Sequence, residues 1–197
     1  MKPISEYNFR EIVGQYIKME TPDSVKELVK NKEVIHAFCY IDQQAGISFQ
    51  VIEDTPSLII LRYDEGYVIE PMDALDVTID EKVKTKNITD DYIKNITKEQ
   101  LGFRFMDLLD PYRDNQFPDD VLIETYTEPP QEILFPVWMR PLKIEDSIII
   151  AKALETVGDI YEGDILCILP TDEGLTAMDY ELYKIILEEG DKSNEEV

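Results

Sequence analysis

The clearest pattern of hydrophobic and polar positions lies between Glu33 and Met72. This stretch contains four runs rich in Val, Ile, Phe and Tyr, separated by short segments of Asp, Gln, Gly, Pro or Ser. Such runs and breaks are typical of an antiparallel meander with tight connections. Residues 63–67 are expected to form a hairpin loop in which Gly66 supplies a positive φ. The pattern therefore predicts that residues 33–72 form the nucleus of a sheet.

Apolar residues at helical spacing predict helices on both sides of this stretch. Asn8 is the expected N-cap of the first helix, with Glu11 three residues later. Thr97 and Gln100 have the spacing of a capping box ahead of an apolar helical face, which Pro111 ends. The predicted helices cover residues 8–17, 22–29, 97–109, 145–157 and 176–190.

Some apolar runs allow more than one interpretation. Residues 145–157 favour a buried helix that ends near Gly158, but a strand through Ile148–Ile150 is the alternative, because short apolar runs do not distinguish the two. Residues 163–170 are bounded by Gly and Pro and predict a central strand. Residues 121–126 and 132–139 are strandlike and are expected to extend the same sheet.

Together these elements predict an α+β fold. A mostly antiparallel sheet, built on the meander of residues 33–72, would be covered by about five helices. A length of 197 residues with 44% hydrophobic content is sufficient for one domain with its own core. We expect this domain to span residues 1–190 and a disordered acidic tail to occupy residues 191–197.

Charge is the most unusual feature of the composition. The chain has 19 basic and 42 acidic side chains, and a net charge of −23. Two explanations of this charge stay open. One is a solvated surface that keeps the protein soluble, and the other is attraction of a basic protein partner. Direct nucleic-acid binding is not expected, because it requires clustered Lys and Arg. We expect no membrane partner and a cytoplasmic location, since residues 1–12 contain no apolar signal core.

Few residues have the chemistry of a recognisable catalytic centre. The only histidine, His36, is expected to be structural, because no carboxylate or Ser stands two residues away and Cys39 falls on the opposite face of the strand. Cys39 and Cys167 lie in apolar runs and are expected to be buried side chains. One histidine and two cysteines do not complete a structural zinc site. We therefore expect no cofactor.

One group of carboxylates has a spacing that suits a metal ion. Asp107 and Asp110 would share a helical face, and the loop after Pro111 could bring Asp114 towards them. Oxygen ligands of this kind bind Mg²⁺ or Ca²⁺. With 42 acidic residues in the chain, however, chance clustering on a solvated surface is the simpler interpretation.

The segment of residues 111–141 combines prolines with large aromatic residues. Six of the 11 prolines lie there, together with the only tryptophan. Trp, Tyr and Arg dominate interface hot spots, and a segment stiffened by proline loses less entropy on binding. The alternative is that Phe135 and Trp138 cover a sheet edge. The candidate partner-binding residues are Phe117, Tyr126, Trp138 and Arg140.

Two classes of function remain open at this stage. The favoured one is a noncatalytic acidic binding protein that engages a basic partner, such as an inhibitor, an immunity-type protein or a chaperone-like protein. The alternative is a hydrolase that depends on a divalent metal ion bound by Asp107, Asp110 and Asp114. The sequence identifies no partner, substrate or oligomeric state.

Overall fold

The computed structural model describes residues 1–72, 96–126, 134–172 and 174–195. The chain forms two compact units. The first comprises Met1–Ile96 and Asn115–Pro118, and the second comprises Thr97–Asp114 and Asp119–Val197. Each unit has its own cluster of buried hydrophobic side chains. The expectation of a single domain over residues 1–190 stays a prediction, because two such clusters can still unfold as one cooperative unit.

The first unit is built on a six-stranded antiparallel sheet with the order β1-β6-β2-β3-β4-β5. One face of the sheet buries its alternate side chains, and Ile17, Ile35 and Phe49 are fully inaccessible there. The strands are β1 (Lys2–Pro3), β2 (Tyr16–Glu20), β3 (Val34–Asp42), β4 (Gly46–Val51), β5 (Ile60–Arg62) and β6 (Val68–Pro71).

The predicted meander is correct for its first three strands only. β3, β4 and β5 follow one another in the sheet, but β6 pairs with β1 and β2. The predicted hairpin over residues 63–67 is therefore wrong. Asp64 closes this turn, since its carboxylate accepts the Gly66 N–H at 2.8 Å and its carbonyl accepts the Tyr67 N–H at 3.0 Å. Gly66 does not adopt the expected positive φ.

Only the beginning of the first predicted helix is confirmed. Helix α1 (Phe9–Ile12) starts with the expected Asn8 cap, and Glu11 completes a capping box. Gly14 then adopts a φ of +79°, which turns the chain so that β2 follows. The predicted second helix over residues 22–29 is a 3-10 helix at Asp23–Val25 followed by turns.

The second unit is a closed five-stranded barrel with the order β10-β11-β7-β8-β9. β11 and β7 pair in parallel, and the other neighbours are antiparallel. Alternate side chains of the strands fill the interior, where Val121, Met139 and Ala151 are fully buried. The strands are β7 (Val121–Tyr126), β8 (Leu134–Glu145), β9 (Ile148–Ala153), β10 (Ile165–Thr171) and β11 (Gly174–Asp179).

Within the run at residues 145–157, Ile148–Ala153 form strand β9, so the alternative interpretation is the correct one. Asp146 and Ser147 both have positive φ values, +49° and +69°, as the two central residues of a type I′ hairpin turn require. They connect β8 to β9, and Glu145 pairs with Ile148. The helix predicted at 145–157 is wrong, because consecutive buried isoleucines fit a strand covered on both faces as well as a buried helix.

Helices in the described part of the second unit lie before and after the barrel strands. Thr97 and Gln100 form the expected capping box of α2 (Lys98–Arg104), and a 3-10 helix follows at Asp107–Tyr112. Helix α3 (Tyr180–Glu195) begins four residues later than expected and includes part of the tail predicted to be disordered. Thr176 lies in β11, and Asp179 caps α3 by accepting the N–H groups of Glu181 and Leu182 at 2.9 and 3.0 Å.

The predicted fold class is therefore wrong. Strands account for 44% of the structure and helices for 20%, and the chain forms a closed barrel in addition to the expected antiparallel sheet. About five covering helices were inferred from apolar runs that instead form strands with both faces buried. Residues 121–126 form the expected strand, and of the strand expected at 132–139 the described residues 134–139 lie in β8, but both strands belong to the barrel and not to the sheet of residues 33–72. Residues 132–133 lie outside the described residues.

Candidate functional site

Trp138 lies on the outer face of the barrel. Its neighbours along β8, Val137 and Met139, are fully buried in the interior. Because successive side chains of a strand point to opposite faces, Trp138 and Arg140 face outwards, and both are half-buried. Trp138 pairs with Leu122 of β7, which is also half-buried. The two side chains place apolar surface at this position on the outside of the barrel.

The backbone of Trp138 is held in place by the residues that follow β9. The Trp138 N–H donates to the Glu155 carboxylate at 3.0 Å, and the Trp138 carbonyl accepts the Leu154 N–H at 2.8 Å. Trp138 is therefore positioned by an interior strand of a closed sheet. A partner that covers Trp138 therefore does not have to order its backbone, which lowers the entropic cost of binding.

Arg140 is engaged by a carboxylate of this chain. Its Nε and Nη2 donate to the two oxygens of Asp120 at 2.6 and 2.9 Å. The Asp120 side chain is only 8% exposed, and burial raises the pKa of this carboxyl even though Arg140 lowers it. The pairing gives Arg140 a structural role in the barrel, and its contact with a partner stays a prediction.

The two other candidate partner-binding residues lie in different surroundings. Phe117 is half-buried in the segment Asn115–Pro118, which belongs to the first unit. Tyr126 is the last residue of β7 in the second unit. The structure thus brings Trp138 and Arg140 together on one strand and does not place Phe117 in the same unit.

Asp107 and Asp110 both lie in the 3-10 helix, and Asp114 follows it. Asp110 accepts a hydrogen bond from the Arg113 Nε at 2.9 Å, so a guanidinium already neutralises it. Within the four described ranges, no group of three or more His, Cys, Asp or Glu is arranged to hold a metal ion. Nothing in this geometry favours the metal-dependent hydrolase over the binding protein.

Arginine and aspartate pairs hold the segment before β7 in place, and one of them joins it to β8. The Arg113 side chain is 5% exposed, and its Nη2 also donates to the carbonyl oxygens of Phe103 and Met106. Arg104 donates to both carboxylate oxygens of Asp119 at 2.7 Å. Bidentate pairs of this kind fix geometry as well as charge. The pairs are Arg104–Asp119, Arg113–Asp110 and Arg140–Asp120.

A second cluster of charged groups lies in the first unit around Glu53. Its carboxylate, 9% exposed, accepts the His36 N–H and contacts the His36 Nδ1, both at 3.0 Å, and also binds the Lys32 ammonium. Burial would raise the pKa of Glu53, but the hydrogen bonds from Lys32 and His36 hold it below its usual value. This network fixes the orientation of the His36 ring at the sheet surface.

Glu53 was missed in the sequence because its partner is on a neighbouring strand. A catalytic partner recognisable from local spacing would stand two residues from His36, whereas Glu53 lies 17 residues further on. The signal that could have identified Glu53 is the register of the hairpin formed by β3 and β4. The turn pairs Asp42 with Gly46, so Ile52 comes opposite His36 and donates its N–H to the His36 carbonyl at 2.9 Å. Glu53 is the next residue.

We expect Glu53→Gln to destabilise the first unit in a way that depends on pH. A lowered folded-state pKa contributes stability above the unfolded-state pKa, about 4.5 for Glu, and this stability is lost as the pH falls through the folded-state value. The variant should therefore lose roughly 1–2 kcal/mol at pH 7 and progressively less below about pH 4.5. Urea unfolding at a series of pH values measures the difference.

Asp54→Asn is the matched control for this experiment. The Asp54 carboxylate is 94% exposed in its pair with Lys30, so screening by water should leave the stability almost unchanged. An equal and pH-independent loss in both variants would contradict the role of the buried network.

Comparisons with family models, with curated proteins and with solved structures found no match to this chain. Among the helices of the described residues, none combines the length and the apolar character needed to cross a bilayer. Functional inference therefore depends on the charges, the exposed surfaces and the side-chain geometry described above.

Proposed function

We propose that the protein is a noncatalytic acidic binding protein that engages a basic protein partner, as an inhibitor, an immunity-type protein or a chaperone-like protein does. The observation that carries the proposal is the excess of acidic over basic side chains. With 42 acidic and 19 basic side chains, the net charge of −23 cannot be cancelled within the chain, however its ion pairs are arranged.

The ion pairs in the described residues support this proposal further. Eight Lys and Arg side chains are bound to carboxylates of the same chain, so each neutralises a nearby carboxylate and the excess negative charge lies on the other acidic side chains. A field of one sign attracts and steers a partner of the opposite sign. The basic residues in these pairs are Lys26, Lys30, Lys32, Arg104, Arg113, Arg140, Lys143 and Lys184.

Trp138 is the proposed anchor of the interface. Charge steers association, but affinity depends on a small number of buried side chains, among which Trp is enriched. Trp138 is half-buried, lies beside Leu122 and has a fixed backbone. These properties favour an anchor that a partner can cover without reorganising the barrel.

We expect Trp138→Ala to weaken binding to the basic protein retained by the wild-type chain by at least about thirtyfold, because hot-spot truncations cost roughly 2 kcal/mol or more. Its far-UV circular dichroism and thermal unfolding should still show a folded barrel. Isothermal titration calorimetry at low salt measures the affinity.

Leu58→Ala provides the control for a general loss of hydrophobic surface. Leu58 is 56% exposed in the first unit and has no place in the proposed anchor. If Trp138→Ala folds and binds as tightly as Leu58→Ala does, Trp138 is not the anchor.

A further inference from the structure

A groove of about 520 Å³ lies on the outside of the second unit. β8 and β9, the loop before β10, and the beginning of α3 form its sides. Ile150 and Tyr180 supply apolar lining, and both also pack within the layer between the barrel and α3. This volume is in the range of roughly 300–1,000 Å³ found for ligand sites, so the groove can accept two or three side chains of a partner.

A β-bulge forms one side of the groove. Pro141 pairs with Ala151 and Lys143 pairs with Ile150, so Leu142 is the extra residue of β8 at this point. A bulge directs a side chain away from the regular sheet. Leu142 is 43% exposed and lines the groove. The bulge thus presents an aliphatic side chain that the barrel interior does not bury.

The opposite sides are fixed by local hydrogen bonds. The Asp164 carboxylate accepts the Tyr161 N–H at 2.7 Å and so holds the loop before Ile165, which is 38% exposed. Asp179 caps α3 and holds the first turn of that helix. The groove is therefore bounded by preformed elements, which lowers the entropic cost of occupying it.

The charges around the groove are predominantly negative. Three carboxylates line it, those of Asp164, Asp179 and Glu181, against one lysine. That lysine, Lys143, is bound to Glu145 at 2.5 Å. The nearby Lys184 is bound to Glu181 at 2.8 Å. Lys143 and Lys184 are thus neutralised by carboxylates of this chain. Lys152 also lies beside the groove, with its Cε 3.8 Å from the Cβ position of Gly163. Asp164 and Asp179 keep the net charge of the rim negative, which favours a positively charged ligand.

We infer that this groove binds an extended basic segment of the partner protein, in which aliphatic side chains alternate with Lys or Arg. The aliphatic side chains pack against the exposed Leu142 and Ile165, while the cationic ones approach the carboxylates at the rim. A second copy of this chain fits less well, because its own charge of −23 repels the rim. The inference rests on the proposed function and adds to it a binding surface that Trp138 does not line.

The test uses the full chain and synthetic hexapeptides with alternating residues. The probe contains Leu and Lys, one control peptide has Ser in place of Leu, and another has Glu in place of Lys. We expect the Leu/Lys peptide to shift the NMR amide signals of residues 142–143, 163–165 and 179–181 saturably. The two control peptides should bind there at least about fivefold more weakly, since each lacks one of the two contributions.

Two pairs of matched variants distinguish binding in the groove from general electrostatic attraction to the acidic surface. Leu142→Ser should weaken peptide binding about fivefold, and Ile144→Ser, on the same strand but 55% exposed and outside the groove lining, should not. Glu181→Lys should weaken it more than Glu65→Lys, an exposed site in the first unit that changes the net charge equally.

Equal effects of the two variants in either pair would contradict binding in the groove. Saturable shifts of amide signals at residues outside the groove only would contradict it as well. Binding of the Glu peptide as tight as that of the Lys peptide would also overturn it, as would concentration-dependent dimerisation that broadens the same signals. These outcomes leave salt-sensitive capture of a basic protein intact. If that capture is lost while the Leu/Lys peptide still binds the groove, the proposed function fails and the groove remains a peptide site.

Discussion

Gly46→Ala is expected to destabilise the first unit by about 3 kcal/mol or more. Gly46 has a φ of +70°, where an L-residue costs roughly 1–2 kcal/mol. In addition, an added Cβ would lie 2.3 Å from the Gln116 carbonyl oxygen. That oxygen accepts the Ile47 N–H at 2.8 Å, so moving it away sacrifices a hydrogen bond worth about 1 kcal/mol. The cost of backbone strain and the cost of the close approach therefore add in the loss of stability.

Gly14→Ala isolates the first of these two causes. Gly14 has a similar φ of +79°, but nothing lies within 4 Å of the position of its Cβ. We expect it to cost only about 1–2 kcal/mol. Adding Gln116→Ala to Gly46→Ala should not restore stability, because the contact is with the backbone of residue 116. Equal losses for Gly46→Ala and Gly14→Ala would contradict the close approach.

The two cysteines and the single tryptophan allow each unit to be followed separately. Cys39 is fully buried in the first unit, and Cys167 is fully buried in the second. Thiol labelling of Cys39 in urea reports unfolding of the first unit, while Trp138 fluorescence and Cys167 report the second. If residues 1–190 form one cooperative domain, Gly46→Ala shifts all three transitions together. A shift of the Cys39 transition alone would contradict that prediction.

Arg140→Met is expected to be the most damaging change of a single charge in the barrel. It leaves the Asp120 carboxylate, 8% exposed, without its guanidinium, and breaking a buried pair typically costs about 3–5 kcal/mol. Burial already raises the pKa of Asp120, and removal of Arg140 should raise it further. Above a raised folded-state pKa, the ionised carboxylate destabilises the folded state. The loss of stability caused by Arg140→Met should therefore shrink as the pH falls.

Two variants make this prediction specific to the buried pair. Asp120→Asn combined with Arg140→Met removes both charges and should be more stable than Arg140→Met alone. Lys184→Met breaks the exposed pair with Glu181 and should change little. Urea unfolding at pH 4.5 and pH 7 measures the stability of all three variants. A loss of stability for Arg140→Met no larger than that for Lys184→Met would contradict the role of the buried pair.

Local sequence signals predicted the features that depend on neighbouring residues. The Asn8 and Thr97 capping boxes are both present, because a cap requires only residues three positions apart. The strands at residues 34–42, 46–51 and 165–171 were also expected, since short β-branched runs bounded by turn residues favour them. Burial of Cys39 and Cys167 is confirmed as well.

Features that depend on strand order were not predictable from these signals. β6 crosses the first sheet to pair with β2, and β11 pairs in parallel with β7 to close the barrel. Neither pairing follows from a hydrophobic period, because the period fixes a face and not a neighbour. Runs such as residues 148–153 were assigned to helix for a related reason, since burial on both faces removes the alternation that identifies a strand.

The same limit explains which parts of the candidate site were missed. Glu53 meets His36 across a hairpin, and Asp120 meets Arg140 across two neighbouring strands, at separations of 17 and 20 residues. Trp138 was selected for its residue type, and its half-buried position on the outer face of the barrel depends on the neighbours Val137 and Met139. The bulge that exposes Leu142 could not be located without the register of β8 and β9.

Capture of proteins from a lysate of the source cell, at low and at moderate salt, tests the proposed binding of a basic partner most directly. We expect mass spectrometry to identify one or two basic proteins retained at stoichiometric levels at low salt and released as salt screens the acidic surface. Retention of no protein at either salt would contradict the proposal. A diffuse set of basic proteins at substoichiometric levels would also contradict it, because such a set reflects only general attraction to a polyanion.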